Sequence, residues 1–94
     1  MRILITGANG FLGSALFNQL QKTSHTIFPF VRKKKSTFDI ECDVGNASNL
    51  LNALNEYQPD VIINCAARVD FTEGSMQEQY TINALSPAVL ASWC

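Results

Sequence analysis

Apolar and polar positions change period several times along this chain, and the changes mark its elements. Ile3-Leu4-Ile5 is a continuous apolar run, the pattern of a strand buried on both faces. From Phe11 the spacing becomes helical. Leu12, Ala15, Leu16 and Leu20 fall on one face, which predicts a helix over 11–22. Thr26–Val31 reads as a second strand, with Pro29 its discordant residue, because proline cannot donate to a ladder. Phe38–Val44 predicts a short third strand. Asn46 is a helix cap ahead of Ala47, Leu50, Leu51, Leu54 and Tyr57, and Pro59-Asp60 ends that helix. Val61-Ile62-Ile63-Asn64-Cys65 predicts another buried strand. Ser75-x-x-Glu78 matches a capping box, so a last helix is expected from about Met76 to Trp93.

The order is strand, helix, strand, strand, helix, strand, helix. Such alternation implies an α/β fold with a parallel sheet and right-handed crossovers. No internal repeat, linker or low-complexity segment interrupts it.

Between the first strand and the first helix lies Ile5-Thr6-Gly7-Ala8-Asn9-Gly10-Phe11-Leu12-Gly13-Ser14. Asn9-Gly10 is a hairpin signal, but a hairpin needs strands on both sides. Here a strand enters and a helix leaves. A kinase-type phosphate loop is excluded as well, since no lysine follows the glycines. A dinucleotide loop fits. Gly7 permits a sharp turn off the strand, Gly10 lets backbone approach a pyrophosphate, and Gly13 lets the helix pack closely. The N–H groups and partial positive charge of the helix N-terminus face the anion.

Composition adds a few exclusions. The 94 residues carry a formal net charge of −1 and are 47% hydrophobic, which describes one ordinary globular domain. That balance argues against general nucleic-acid binding, and no apolar run approaches membrane-spanning length. Thr6, Gly7, Asn9 and Gly10 interrupt the N-terminal apolar stretch too early for a signal peptide. The three cysteines, Cys42, Cys65 and Cys94, are odd in number and show no C-x-x-C spacing. They read as reduced thiols, which suits a cytoplasmic protein. His25, the single histidine, sits in a polar turn and reads as a surface residue. Tyr80 and Trp93 read as packing residues.

The spacing Gly-x-x-Gly-x-x-Gly after Thr6 resembles the fingerprint of extended short-chain dehydrogenase/reductases. "CDV" (Cys42-Asp43-Val44), "PDVIINCAA" (Pro59 to Ala67) and "INALSPAVLA" (Ile82 to Ala91) resemble later pieces of the same superfamily. "NALSP" in particular is similar to the dTDP-4-dehydrorhamnose reductase branch. The resemblance implies the first half of a Rossmann-type doubly wound parallel sheet, with three to four parallel strands, over residues 1–94. It implies that Gly7 and Gly13 shape the cofactor loop, that Gly10, Phe11 and Leu12 line the pyrophosphate, and that Asp43 and Val44 hold the adenine. Ala66, Ala67, Arg68 and Val69 would run beside the ribose and nicotinamide. Arg68 departs from the small or aromatic residues expected there, and reads either as a substrate-phosphate contact or as a surface arginine. Asn83 would lie on the cofactor side of the last helix. Pro87 would free the Asn83 carbonyl by a kink, or serve packing alone.

The cofactor expected is NADP, with NAD the lesser alternative. An NAD site places an acid at the end of the second strand, to bind the ribose 2′-hydroxyl. Here Val31 is followed by Arg32-Lys33-Lys34-Lys35, and the nearest acid is Asp39. A guanidinium can hold a 2′-phosphate bidentately, which assigns that contact to Arg32. Lys33 to Lys35 then read as solvated neighbours.

The superfamily's chemistry uses a Tyr-x-x-x-Lys pair, and none is present. Tyr57 is followed four residues later by Val61, and Tyr80 by Ala84. The chain therefore reads as the dinucleotide-binding portion of a longer protein, or as a truncated product, without catalytic residues of its own and with no metal site. The parent would act on a nucleotide sugar as a reductase, an epimerase or a dehydratase. A non-catalytic NADP(H)-sensing module and an inert truncation are the readings outside enzymology. The strand 61–65 would be an apolar edge in this chain alone, which predicts self-association.

Overall fold

The computed structural model describes residues 1–66 and 86–93. Four strands and three helices lie within them: β1 (Arg2–Thr6), α1 (Phe11–Leu20), β2 (Thr26–Val31), β3 (Ile40–Glu41), α2 (Ala47–Tyr57), β4 (Val61–Asn64) and α3 (Ser86–Trp93). The strands form one sheet in the order β3-β2-β1-β4, and every pairing is parallel. This is the expected α/β half of a doubly wound sheet. Among the described residues β4 pairs with β1 only.

Alternation along the strands divides the core in two. Ile3, Ile5, Ile27, Val31, Val61 and Ile63 face one side and pack with Leu16, Phe17 and Leu20 of α1. Leu4, Phe28, Phe30 and Ile62 face the other, against Leu50 and Leu54 of α2 and Leu90 and Trp93 of α3. Helices on both faces explain why β1 is apolar without interruption.

Two helical faces differ from the periodicity reading. In α1 the inward residues are Gly13, Leu16, Phe17 and Leu20, while Ala15 is exposed and Leu12 is 61% exposed. The helix is rolled so that Gly13 meets the end of β1. In α2, Leu50, Ala53, Leu54 and Tyr57 face the core, and Ala47 and Leu51 are exposed. The capping role of Asn46 holds: its side chain accepts the Asn49 N–H at 3.1 Å. At the other end, the Arg2 guanidinium lies 4.8 Å over the Phe28 ring and donates to the carbonyls of Tyr57 and Gln58. A cation there satisfies terminal carbonyls and suits the helix dipole.

Pro29 turns out to cost no ladder bond. The Thr26 N–H donates to Met1 and the Phe30 carbonyl accepts from Ala8, so even-numbered β2 residues address β1. The Val31 carbonyl accepts from Cys42, so odd-numbered residues address the β3 side. β3 begins only opposite Phe30, one residue beyond Pro29.

The third strand is shorter than the expected 38–44. Phe38 is 66% exposed, and Asp43 accepts the Gly45 N–H at 2.9 Å, turning the chain out of the sheet. The short strand also explains how two neighbouring parallel strands are joined without a helix. β3 starts level with Phe30, so the 32–39 link retraces only about one residue, roughly 3.3 Å. The last helix is described from Ser86 onward, and its expected start near Met76 lies outside the described residues. His25 is half-buried, and its Nδ1 accepts from the Met1 ammonium at 2.9 Å. Trp93 packs on the core and donates to Asn55 Oδ1 at 2.9 Å.

Candidate functional site

Because all four strands run parallel, the loops that leave them gather at one edge of the sheet. These are 7–10 after β1, 32–39 after β2, 42–46 after β3 and 65–66 after β4. The chain order reverses between β1 and β4, and open α/β sheets bind ligands at such a switch point.

The glycine loop sits there. Gly7 has φ +63°, a left-handed conformation that L side chains rarely adopt. A Cβ on it would also lie 2.8 Å from the Ala66 nitrogen and the Cys65 carbonyl. At Gly13 a Cβ would fall 2.1 Å from the Gly7 oxygen. Gly10 differs from both: its Cβ would meet only the Gly7 oxygen, at 3.3 Å. The fold itself thus makes a weaker demand for glycine at position 10 than at 7 or 13. Gly10 is also the N-cap of α1. No side chain caps this helix, and its first turn contains no acid. Phe11 is 97% exposed and Leu12 61%, so neither side chain covers the turn. What the loop presents is backbone and the positive end of a helix.

Thr6 holds the loop against β4, a role the sequence reading did not assign. It is fully buried, donates to Asn64 Oδ1 and accepts the Ala66 N–H at 3.2 Å. Its carbonyl accepts the Cys65 N–H, also at 3.2 Å. The available signal was a hydroxyl directly before the glycines and an amide in the last position of a buried strand. Thr6 and Asn64 are register partners in the sheet. Half-buried Ala66 is thereby fixed at the mouth of the loop.

On the other side of β1, Arg32 and Asp43 line one groove of about 460 Å³, with Glu41, Asn52, Glu56 and Tyr57 among its walls. Both are exposed. The Asp43 carbonyl accepts the Asn46 N–H at 3.0 Å, so the turn that presents its carboxylate leads directly into the α2 cap. Val44 is half-buried and packs against the α2 side of the core. Buried Cys42 has its thiol pushed up to about 11, by burial and by the Asp43 charge. It therefore stays protonated, and Cys65 is half-buried; both are free thiols.

In the 32–39 loop, one oxygen of Asp39 accepts the N–H groups of Lys35 at 2.9 Å and Ser36 at 3.0 Å. Glu41 Oε1 accepts the Lys34 N–H at 3.3 Å. The Lys35 hydrogen bond is the leading reason that the Asp39 carboxyl lies below its ordinary 3.8. Among the described residues no cluster of His, Cys, Asp and Glu could hold a metal ion, and no helix is long and apolar enough to cross a membrane. Ala67, Arg68, Val69 and Asn83 lie outside the described residues.

A parallel sheet ordered 3-2-1-4, with a glycine turn at its switch point, is the dinucleotide-fold half of the short-chain dehydrogenase/reductase class. The chain belongs to the family described as the RmlD substrate binding domain, whose model matches residues 1–94. It is 32% identical over 99 residues to the Haloferax volcanii protein named "Probable low-salt glycan biosynthesis reductase Agl14", covering 100% of this chain and 33% of that one. It is 32% identical over 95 residues to a dTDP-4-dehydrorhamnose reductase of Mycolicibacterium smegmatis, covering 99% and 26%. The crystal structure of a dTDP-4-dehydrorhamnose reductase from Clostridium acetobutylicum superposes with a TM-score of 0.79 at 38% identity, covering 97% and 31%. The chain thus spans a quarter to a third of the length of these relatives.

Proposed function

We propose that this chain is the NADP(H)-binding portion of a sugar-nucleotide reductase of the dTDP-4-dehydrorhamnose type. The carrying observation is the contrast among the three glycines. Gly7 and Gly13 are required by the fold, whereas Gly10 meets a single milder contact at 3.3 Å, and its bareness at the start of α1 suits close approach of a ligand to the backbone. Family membership supplies the reaction class.

In this reading the N–H groups at the start of α1 and the loop backbone bind the pyrophosphate. Asp43 and Val44 receive the adenine, and Arg32 receives the ribose 2′-phosphate. Thr6, through Asn64 and Ala66, fixes the end of β4 beside the nicotinamide side of the site. The bound dinucleotide would supply the hydride. The proton to the sugar carbonyl needs a donor that these 94 residues do not offer as a Tyr-x-x-x-Lys pair, so the isolated chain binds without reducing.

Fluorescence titration of the chain with NADPH and NADH at low salt tests the reading. Saturable NADPH binding that Gly10→Trp abolishes, with weaker NADH binding, is expected. Equal affinity for the two would refute the NADP assignment. No binding of either by a folded chain would refute the dinucleotide site itself.

A further inference from the structure

The 32–39 loop carries four consecutive cations, yet its two nearest acids are turned onto its own backbone. Asp39 takes the N–H groups of Lys35 and Ser36 on a single oxygen, and the Asp39 N–H returns to the Ser36 carbonyl at 3.2 Å. Glu41 takes the N–H of Lys34. Three successive backbone donors are therefore engaged by carboxylates, while Arg32 and Lys33 to Lys35 are exposed. The loop also forms part of the groove rim. Arg32 at one end of it and Ile40 and Glu41 at the other line the same cavity.

We propose that Asp39 is a positioning residue for cofactor choice: its carboxylate shapes the basic loop so that the 2′-phosphate of the dinucleotide is read by side-chain cations. This rests on the NADP(H) reading above and adds a residue to it. In the sequence Asp39 is the acid nearest the end of the second strand, where an NAD site places its ribose-binding acid. The structure shows that carboxylate committed to its own loop. A charge that only sat near a phosphate would weaken phosphate binding, and its removal would strengthen it. A carboxylate that orders the loop has the opposite effect on removal, because an eight-residue link regains backbone freedom that binding must again freeze out.

The sign of the change decides. NADPH and NADH are titrated against the wild-type chain, Asp39→Ala and Asp39→Asn, with amide protection at Lys35 and Ser36 followed by hydrogen exchange. Asp39→Ala is expected to lose that protection and to weaken NADPH about tenfold, with NADH nearly unchanged. Asp39→Asn removes the charge but keeps an acceptor oxygen, and is expected to retain most of the preference. NADPH affinity at or above wild type in Asp39→Ala overturns the inference, and so does an equal loss for NADH. In either case a wild-type preference for NADPH leaves the NADP(H) reading intact. A wild-type chain without that preference overturns both.

Discussion

Gly13 sits so close to Gly7 that a Cβ on Gly13 would lie 2.1 Å from the Gly7 carbonyl oxygen. The contact locks the first turn of α1 onto the loop that precedes it, and two effects compete in Gly13→Ala. Helix propensity favours alanine by about 1 kcal/mol. Overpacking against backbone costs about 1–3 kcal/mol or more, because neither oxygen nor helix can step aside alone. Overpacking wins, so urea denaturation should show Gly13→Ala less stable by roughly 2 kcal/mol. Gly10→Ala, whose Cβ would meet the same oxygen at 3.3 Å and which places alanine at the helix N-cap, should cost less than Gly13→Ala, about 1 kcal/mol or below, while weakening dinucleotide binding.

Thr6→Val preserves shape and removes the hydroxyl. The Asn64 side-chain oxygen and the Ala66 N–H then lose their shared partner in a part-buried place. An unsatisfied buried group costs about 1–3 kcal/mol; Asn64 is exposed and Ala66 half-buried, so a loss at the lower end, about 1 kcal/mol, is expected. Thr6→Ser, which keeps the hydroxyl, should recover most of it. Equal stability of the valine and serine variants would remove Thr6 from its role as a clamp.

Arg32→Ala should weaken NADPH and spare NADH, since the two differ only by the 2′-phosphate. A hydrogen bond to a charged group contributes about 1.5–3 kcal/mol, a tenfold to hundredfold preference. Arg32 is exposed, which places the effect at the lower end and makes it shrink with added salt. Lys34→Ala should matter less. Calorimetric titration at two salt concentrations checks all three statements.

Acid should loosen the basic loop at a pH set by Asp39. Its carboxyl is held below the ordinary 3.8, first by the Lys35 N–H, with Ser36 and the Lys34 charge adding and burial opposing. A carboxyl lowered in the folded state contributes order that is complete above its ordinary value. That order is lost as pH falls through the lowered one. The amide shifts of Lys35 and Ser36 should therefore titrate together with a midpoint below 3.8. A midpoint at or above it would contradict the hydrogen bonding described.

Local pattern made much of the fold and of one part of the site legible. Ile3-Leu4-Ile5 could be read as a buried strand and Val61-Ile62-Ile63 as a strand, the latter half-buried in the structure, because each residue's environment repeats over a few neighbours. The glycine loop could be read because a turn, a helix start and a close approach all fall within seven residues, Gly7 to Gly13. Asn46 could be read because a cap acts three residues away.

Sequence by itself thus determined the element types, the parallel α/β class and the place of the glycine loop, all set by interactions between near neighbours. Tertiary structure alone decided the rest. It rolled α1 so that Leu12 and Ala15 turn outward and Phe17 packs inward, beside the close Gly13 packing that the glycine spacing predicts. It made Pro29 harmless by starting β3 one residue beyond it. It joined Thr6 to Asn64, 58 residues apart, and set Arg32 and Asp43 around one groove. It also turned the Asp39 carboxylate onto the Lys35 and Ser36 N–H groups of its own loop. Such pairings depend on which strands lie side by side and where each one ends, and hydrophobic periodicity carries no record of either.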